Sequence, residues 1–246
     1  YNNDADFSFN LLSKIPKFEK TDVFKSVINE DILDESFSYY KNYLDVQKKL
    51  IQKLNQKKLI FKTHHFFGEL DNHIFTNKET TLLFIYLVRD PREVLISYAN
   101  HVNESIDTLL KTFISDKIIT KTKMEIIVNW GLHYRSWKSF KSVPSIFIKF
   151  EDLVRDPKEI FYNLIRFLSK YIDITIDKNQ INKTIKLITF ENLKKLENKY
   201  GFKEASKNNI FFKSGKIDSW KKILNHKQVN QVEDKFGKEM KELGYI

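Results

Sequence analysis

The sequence predicts a three-layer α/β fold in which helices flank a central parallel sheet. Three short segments are typical of buried strands, because β-branched and aromatic residues fill them and polar residues bound them. Helical stretches lie between and beyond these strands, and such alternation indicates a parallel sheet covered on both faces. The predicted strands are Lys58–Thr63, Leu82–Arg89 and Ser145–Phe150, and the predicted helices are Phe37–Leu54, Pro91–His101, Lys123–Phe140, Pro157–Ser169 and Gln228–Leu243.

The composition predicts one domain over residues 1–246. The chain contains 41% hydrophobic and 14% aromatic residues, which suffice for one substantial core, and its six glycines and four prolines form no linker. Cysteine is absent, which excludes a disulfide framework, a thiolate metal site and a cysteine nucleophile and is consistent with a reducing compartment. No apolar run approaches the ~20 residues of a membrane span. We therefore expect a cytoplasmic protein without an integral membrane segment.

The net charge of +10 comes mainly from lysine, since only five of the 42 basic residues are arginine. The lysines are scattered and separated by aspartate and glutamate, unlike the dense run of a nucleic-acid-binding arm. We therefore expect no nucleic acid partner. A net positive field still favours a nucleotide that carries several negative charges.

The segment VRDPRE, residues 88–93, has the features of an anion site. It follows a predicted strand and opens a helix, in which Asp90 suits the cap and Glu93 has the spacing of a capping box. A helix N-terminus attracts anions, and Arg89 would match a phosphate with its rigid fork of donors. Ser97 lies two turns into the helix and would add a hydroxyl.

A second copy of the pattern occurs at Arg155-Asp156-Pro157-Lys158-Glu159. We interpret this copy as a helix start, so the pattern alone has little specificity. The first copy differs because a buried strand directly precedes it and Ser97-Tyr98 follows it.

The segment FKTHH ends the first predicted strand with a lysine and two histidines. Lys62 and His64 point to one side, because side chains at i and i+2 share a strand face. A lysine neutralises charge on a leaving phosphate, and a histidine with an ordinary pKa of about 6.5 accepts a proton near neutral pH. We therefore interpret Lys62 and His64 as catalytic and give His65 a structural role.

Both segments resemble parts of the sulfotransferases that depend on 3′-phosphoadenosine 5′-phosphosulfate (PAPS). The resemblance of VRDPREVLISY to the family's 3′-phosphate-binding segment implies that Arg89 and Ser97 hold that phosphate. FKTHH resembles the family's Lys-Thr-His, which implies that His64 removes the acceptor's proton and that Lys62 assists at the sulfuryl group or the leaving phosphate. The family has a P-loop-NTPase-like α/β fold and needs no metal.

The segment FFKSGKIDSWKK by itself is typical of a basic loop before a helix. It resembles the family's loop that closes over the 3′-phosphate and the adenine, since Gly215 and Trp220 keep its spacing. This implies phosphate contacts from Lys213 and from the backbone N–H groups of Ser214 and Gly215. Ser214 replaces a second basic residue and Asp218 stands where a second glycine is common, and we expect both departures to weaken the phosphate contacts.

Three further matches complete the resemblance. Phe150 replaces the tyrosine of a family strand that ends in Tyr-Glu-Asp, so a hydroxyl contact of the cofactor is lost. Thr189-Phe190 resembles a Ser/Thr-Phe pair near the adenine. The segment Trp130–Trp137 resembles a helix of the Trp-x-x-His type, to which we give a structural role.

One family element is not found in the sequence, the Pro-Lys-Ser-Gly-x-Thr-Trp loop that cradles the 5′-phosphosulfate. Residues Asp4–Pro16 resemble the stretch that follows this loop and its helix. We therefore expect that the natural protein extends upstream of Tyr1, and that the chain as given has little or no activity.

The leading hypothesis is sulfuryl transfer from PAPS to a hydroxyl or amine, with adenosine 3′,5′-bisphosphate as the product. One alternative is a P-loop-type nucleotide kinase or phosphotransferase, which needs a Walker A loop and Mg²⁺ carboxylates. The other is a non-catalytic basic module that binds nucleotides or nucleic acid. The acceptor is a small molecule, or a glycan or lipid, and we expect the variable loops Phe66–Thr80 and Asn103–Lys123 to bind it.

Overall fold

Ten helices and six strands form the part of the chain that a computed structural model describes, namely residues 25–27, 38–53, 59–117, 119–122, 125–202, 210–212 and 215–246. The helices are α1 (Ser38–Lys53), α2 (Pro91–Val102), α3 (Ile106–Phe113), α4 (Trp130–Ser139), α5 (Phe150–Arg155), α6 (Pro157–Leu168), α7 (Lys178–Leu187), α8 (Phe190–Tyr200), α9 (Trp220–Ile223) and α10 (His226–Leu243). The strands are β1 (Glu69–Leu70), β2 (His73–Ile74), β3 (Phe84–Val88), β4 (Ile119–Thr122), β5 (Glu125–Ile127) and β6 (Ser145–Lys149).

The described residues fall into two compact units. The first contains Ile85–Lys111 and Ile146–Ile246, and the second contains the described residues up to Phe84 together with Thr112–Ser145. The single domain expected over residues 1–246 stays a prediction.

The first unit is built on the neighbouring strands β3 and β6. Along β3 the side chains of Tyr86 and Val88 are buried, whereas Leu87 between them is exposed, as the two-residue period of a strand requires. Helix α10 buries Val232, Phe236 and Met240, which recur every four residues and therefore share one helix face. These side chains belong to the core of this unit, and their helix packs against α2.

The second unit has an aromatic core. Tyr43 on α1 is fully buried and lies edge-on to the ring of Phe75, with ring centroids 5.3 Å apart. Trp137 on α4 contacts the rings of Phe75 and Phe84 at 6.0 and 5.0 Å. Such offset and edge-to-face contacts stabilise a core beyond the area they bury. The short hairpins β1–β2 and β4–β5 are antiparallel.

Four predicted elements are wrong in part. The predicted strand Leu82–Arg89 is a strand only over Phe84–Val88. Of the predicted strand Lys58–Thr63, the described residues 59–63 form only a single β-bridge, at Lys62, and Ile60 is 60% exposed. The predicted helix Lys123–Phe140 begins only at Trp130, because Glu125–Ile127 pairs with β4 and Asn129 caps α4 by accepting the N–H of Leu132. The strand Ser145–Phe150 ends one residue early, and Phe150 starts α5.

The other predicted helices agree with the structure to within two residues wherever the structure describes them. Proline and the caps explain this agreement: Asp90 caps α2 and Asp156 caps α6, and each is followed by a proline. Helices α3, α5, α7, α8 and α9 were not predicted. Among the described residues, no helix combines the length and the apolar character needed to cross a membrane.

Candidate functional site

Arg89 stands at the point where β3 ends and α2 begins. Its guanidinium lies 4.5 Å from the centre of the Phe150 ring, a cation–π contact. One terminal nitrogen donates to the carboxylate of Glu93 and to the backbone carbonyl of Lys216, both at 3.2 Å. The side chain is 24% exposed. Arg89 therefore joins three segments that are far apart in the sequence and stays accessible to a ligand.

Glu93 accepts hydrogen bonds from three different residues in this region, and its side chain is buried. Its carboxylate accepts the hydroxyl of Ser219 at 2.8 and 2.9 Å and the backbone N–H of Trp220 at 2.9 Å, in addition to Arg89. Hydrogen bonds to a charged acceptor are the stronger ones. Glu93 therefore fixes the C-terminal end of the loop that contains Gly215.

The capping box predicted for Glu93 is wrong. Asp90 caps α2 by accepting the backbone N–H of Arg92 at 2.9 Å, but the N–H of Asp90 itself donates to Glu151 at 2.9 Å. Glu93 does not accept the N–H of Asp90, because its carboxylate accepts hydrogen bonds from three other donors. These donors are the guanidinium of Arg89, the hydroxyl of Ser219 and the backbone N–H of Trp220. A local pattern has been overridden by distant partners.

The second arginine of the motif, Arg92, is buried and fully engaged. It contacts Asp90 with a 2.7 Å ion pair, pairs with Glu233 and donates to the carbonyl of Tyr245 at 2.9 Å. Its guanidinium also stacks 3.7 Å from the centre of the Trp220 ring. Burial lowers the pKa of Arg92, but the hydrogen bonds and charges of Asp90 and Glu233 outweigh it and the pKa is raised. Arg92 is therefore a structural cation.

The C-terminus completes this charged region. Glu151 is buried and accepts the phenol hydroxyl of Tyr245 at 2.9 Å, while its other oxygen takes the N–H of Asp90. Burial, followed by the charge of Glu151, raises the pKa of Tyr245 above its ordinary value. The hydroxyl therefore stays protonated and donates to Glu151.

The loop before Trp220 has a conformation that its glycine makes possible. Gly215 has a φ of +56°, and a Cβ added there would lie 2.3 Å from Cδ2 of Phe190. Asp218 has a φ of +63°, which lies in the left-handed region that favours glycine. Its carboxylate forms an exposed ion pair with Lys221 at 3.2 Å. The indole N–H of Trp220 is buried, without a hydrogen-bond partner among the described residues.

The remaining predicted nucleotide contacts have simpler surroundings. Ser97 lies on α2 with an exposed side chain. Thr189 caps α8 by accepting the N–H of Asn192 at 3.4 Å. Lys213 and Ser214 lie outside the described residues. The structure thus brings Arg89, Phe150 and the loop after Gly215 together.

The predicted catalytic pair lies in the second unit. Lys62 forms the β-bridge and is half-buried, and His64 is exposed. The neighbouring His65 is fully buried, with its Nε2 2.6 Å from the Tyr43 hydroxyl. Its Nδ1 accepts the backbone N–H of Ile126 at 3.3 Å, so the ring is a neutral tautomer whose Nε2–H donates to Tyr43. This burial agrees with the structural role predicted for His65.

His133 on α4 supports the backbone at the same place. Its Nε2 donates to the carbonyl of His64 at 3.2 Å. Burial lowers the pKa of His133 to about 4, while hydrogen bonds to the carbonyls of His64 and His65 act in the opposite direction. At neutral pH the ring is therefore neutral, and it holds the segment that carries His64.

The second RDP copy is a helix start, as predicted. Asp156 accepts the N–H of Glu159 at 3.0 Å and caps α6. Arg155 is 56% exposed and pairs with Asp152 at 3.5 Å. The same five-residue pattern therefore builds a charged site only where distant partners surround it.

Sequence reasoning missed two carboxylates beside the loop that carries Gly215. Glu93 was interpreted only within its helix, although its position four residues after Arg89 is a spacing at which two opposite charges can pair. Glu197 on α8 accepts the backbone N–H groups of Phe211 at 2.6 Å and Phe212 at 2.9 Å, and no sequence pattern pointed to it. Among the described residues, no cluster of three or more histidine, aspartate or glutamate side chains is arranged to hold a metal ion.

Comparison with known proteins identifies the class to which this chain belongs. The family model described as "Sulfotransferase domain" matches residues 5–244, almost the whole chain. The chain therefore belongs to the sulfotransferase domain family, as the sequence motifs predicted.

The relatives and a solved structure agree with this assignment. The chain is 23% identical to an amine sulfotransferase of Oryctolagus cuniculus over 67% of this chain and 56% of the relative, and 24% identical to cytosolic sulfotransferase 6 of Arabidopsis thaliana over 83% and 64%. It thus spans a little over half to two thirds of their length. A mouse sulfotransferase complexed with PAP matches with a TM-score of 0.59 and 19% identity, covering 80% of this chain and 71% of that one. This likeness confirms the predicted P-loop-like α/β fold with a parallel sheet.

The close approach of Gly215 to Phe190 predicts a specific sensitivity. Gly215→Ala should lower the free energy of unfolding by about 2–3 kcal/mol, since it adds a steric clash to the strain of a positive φ. Gly244→Ala is the matched control, because Gly244 has a φ of +69° but nothing within 4 Å of the added Cβ. That control should lose about 1 kcal/mol. Equal losses in urea unfolding of the two variants would contradict the contact with Phe190.

The lowered pKa of His133 predicts a pH-dependent stability. Between about 6.5, the ordinary value, and about 4 the unfolded chain binds more protons at this position than the folded one, so stability falls as the pH drops through this window. From pH 7 to pH 5 the wild type should lose about 2 kcal/mol more than His133→Gln. Urea unfolding at both pH values measures this, with the exposed His101→Gln as control. A wild type and a His133→Gln variant with the same pH dependence would disprove it.

Proposed function

We propose that this protein transfers a sulfuryl group from PAPS to a hydroxyl or amine of a small molecule. The observation that carries the proposal is the surroundings of Arg89, where three segments that resemble nucleotide-binding parts of the family meet around one guanidinium. Phe150 lies against that guanidinium and the carbonyl of Lys216 accepts from it. A family match alone would not require these contacts.

The nature of the site suits a nucleotide with a 3′-phosphate. Arg89 is accessible and carries the donors that a phosphate needs. The positive φ of Gly215 lets the backbone of the loop pack closely against the ring of Phe190, where a side chain would clash. In our proposal Lys213, the N–H groups of Ser214 and Gly215, and the Ser97 hydroxyl add to this site.

The adenine would be bound by the neighbouring residues. Thr189 starts the helix whose first residue, Phe190, lies against Gly215. We assign Thr189 and Phe190 to the adenine, and Trp220 to the closure of the loop, where its backbone N–H is held by Glu93. No metal has a part in this proposal.

The chemistry proposed for Lys62 and His64 follows the resemblance of FKTHH to the family segment. PAPS supplies the sulfuryl group, and adenosine 3′,5′-bisphosphate leaves. His64 takes the proton of the acceptor, whose oxygen or nitrogen forms the new bond to sulfur as the bond from sulfur to the phosphate oxygen breaks. Lys62 neutralises the charge that develops on that oxygen. Positioning and electrostatics therefore supply most of the catalysis.

For the acceptor we propose only its chemical class, and for the cellular location only the compartment. The sulfotransferase domain family supports a small-molecule acceptor, and one relative is named an amine sulfotransferase. Another is named a cytosolic sulfotransferase, which supports a cytoplasmic location.

The role of Arg89 is tested by binding, without any need for turnover. Arg89→Ala should weaken binding of adenosine 3′,5′-bisphosphate by about 2–4 kcal/mol, because a partly buried charge-assisted contact is lost. The second RDP copy provides the control: Arg155→Ala removes the same charge at an exposed position. Isothermal titration calorimetry that finds equal affinities for both variants would refute the proposed phosphate site.

The role of His64 is tested by turnover in the full-length protein. His64→Ala should reduce kcat by roughly 10²–10⁴-fold and leave the affinity for adenosine 3′,5′-bisphosphate nearly unchanged, because a general base acts on the proton of the acceptor. Lys62→Ala should change both quantities. An unchanged rate in His64→Ala would remove it from the mechanism and leave His65 and His133 to be tested.

A further inference from the structure

The loop that leads to Trp220 is held at both ends by buried carboxylates. Glu93 holds its C-terminal end through Ser219 and Trp220. Glu197 holds its N-terminal end, where its two oxygens accept the N–H groups of Phe211 and Phe212. The segment between these two anchors contains Gly215.

A buried carboxylate such as that of Glu197 is unusual at a position with a purely structural role. Its side chain is 7% exposed, and taking a carboxylate out of water is unfavourable unless strong hydrogen bonds offset it. Two backbone N–H groups at 2.6 and 2.9 Å provide such bonds and fix the orientation of two successive peptide units. A neutral side chain with one acceptor would fix only one of them.

A series of aromatic contacts connects Phe211 and Phe212 to Gly215. The rings of Phe211 and Phe212 lie 4.8 and 5.5 Å from that of Phe202, and Phe212 also contacts the ring of Phe190 edge-on at 6.3 Å. Phe190 is the side chain against which Gly215 rests. A shift of the peptide units at Phe211 and Phe212 would therefore move the surface that shapes the loop.

We infer that Glu197 is a positioning residue for the phosphate-binding loop: its carboxylate sets the backbone of Phe211 and Phe212 so that the loop from Gly215 to Lys216 faces the 3′-phosphate beside Arg89. Glu197 itself does not touch the nucleotide. This inference rests on the proposed function, since it assigns the loop its ligand.

The direction of the effect separates positioning from simple charge. Removing a negative charge near a phosphate strengthens phosphate binding if the charge acts only through its field. Removing an acceptor that orders the loop weakens binding. Glu197→Gln keeps the size of the side chain, removes the charge and leaves one oxygen acceptor for two N–H groups. Glu191→Gln is the matched control, because Glu191 lies on the same helix with an exposed side chain.

The experiment measures the affinities of adenosine 3′,5′-bisphosphate and adenosine 2′,5′-bisphosphate by isothermal titration calorimetry. The two ligands have the same charge and differ only in the position of one phosphate, so a field effect changes both affinities alike. We expect Glu197→Gln to weaken the 3′,5′ ligand by about 5- to 20-fold and the 2′,5′ ligand by less than about twofold. Glu191→Gln should leave the ratio of the two affinities unchanged.

The outcomes distinguish this inference from the proposed function. A wild type that binds both isomers equally would overturn the 3′-phosphate site itself. A wild type that prefers the 3′,5′ isomer, with an equal preference in Glu197→Gln, would overturn only the role of Glu197. If thermal unfolding shows that Glu197→Gln is not folded, Glu197→Asp takes its place, because it keeps both acceptor oxygens on a shorter side chain. It should lose part of the preference, and a full preference would overturn the inference.

Discussion

The buried carboxylate of Glu93 is the interaction on which the candidate nucleotide site depends. It accepts from Ser219 and Trp220, which lie more than 120 residues further along the chain, and from Arg89 in its own motif. In a poorly solvated environment these bonds are strong, and without the carboxylate the hydroxyl of Ser219 and the N–H of Trp220 would lose the acceptor that they use here. Glu93 therefore brings the glycine-containing loop to the end of β3, and the contact of Arg89 with Lys216 follows from it.

This arrangement places several carboxylates beside a site proposed for an anion. Arg92 forms ion pairs with Asp90 and Glu233, and Arg89 forms one with Glu93. Arg89 therefore offers a phosphate less attraction than an unshared cation would, and backbone N–H groups with the right orientation must supply the rest. For binding a phosphate, the conformation of the loop is therefore as important as Arg89. This is why the positive φ of Gly215 and the hydrogen bonds to Glu197 matter for the proposed site.

The parts of the fold that the sequence predicted depend on neighbours in the chain. Asp90 followed by proline starts α2 wherever the rest of the chain lies, and the same signal starts α6. The parts that were missed depend on distant residues. Glu93 accepts a hydrogen bond from Ser219 and not from the N-terminus of its own helix, and Glu151 accepts one from Tyr245 near the C-terminus. The predicted helix Lys123–Phe140 was too long, because a short hairpin and not a helix buries Ile126.

The histidines of the second unit show how environment divides chemically identical side chains. His65 uses one ring nitrogen as a donor to Tyr43 and the other as an acceptor for Ile126, so neither nitrogen is available to an acceptor substrate. His133 is kept neutral by burial and spends its N–H on the carbonyl of His64. His64 differs from both because its side chain is exposed while its backbone is held in place. A general base needs this combination of a fixed backbone and an accessible ring, which supports the assignment of proton transfer to His64.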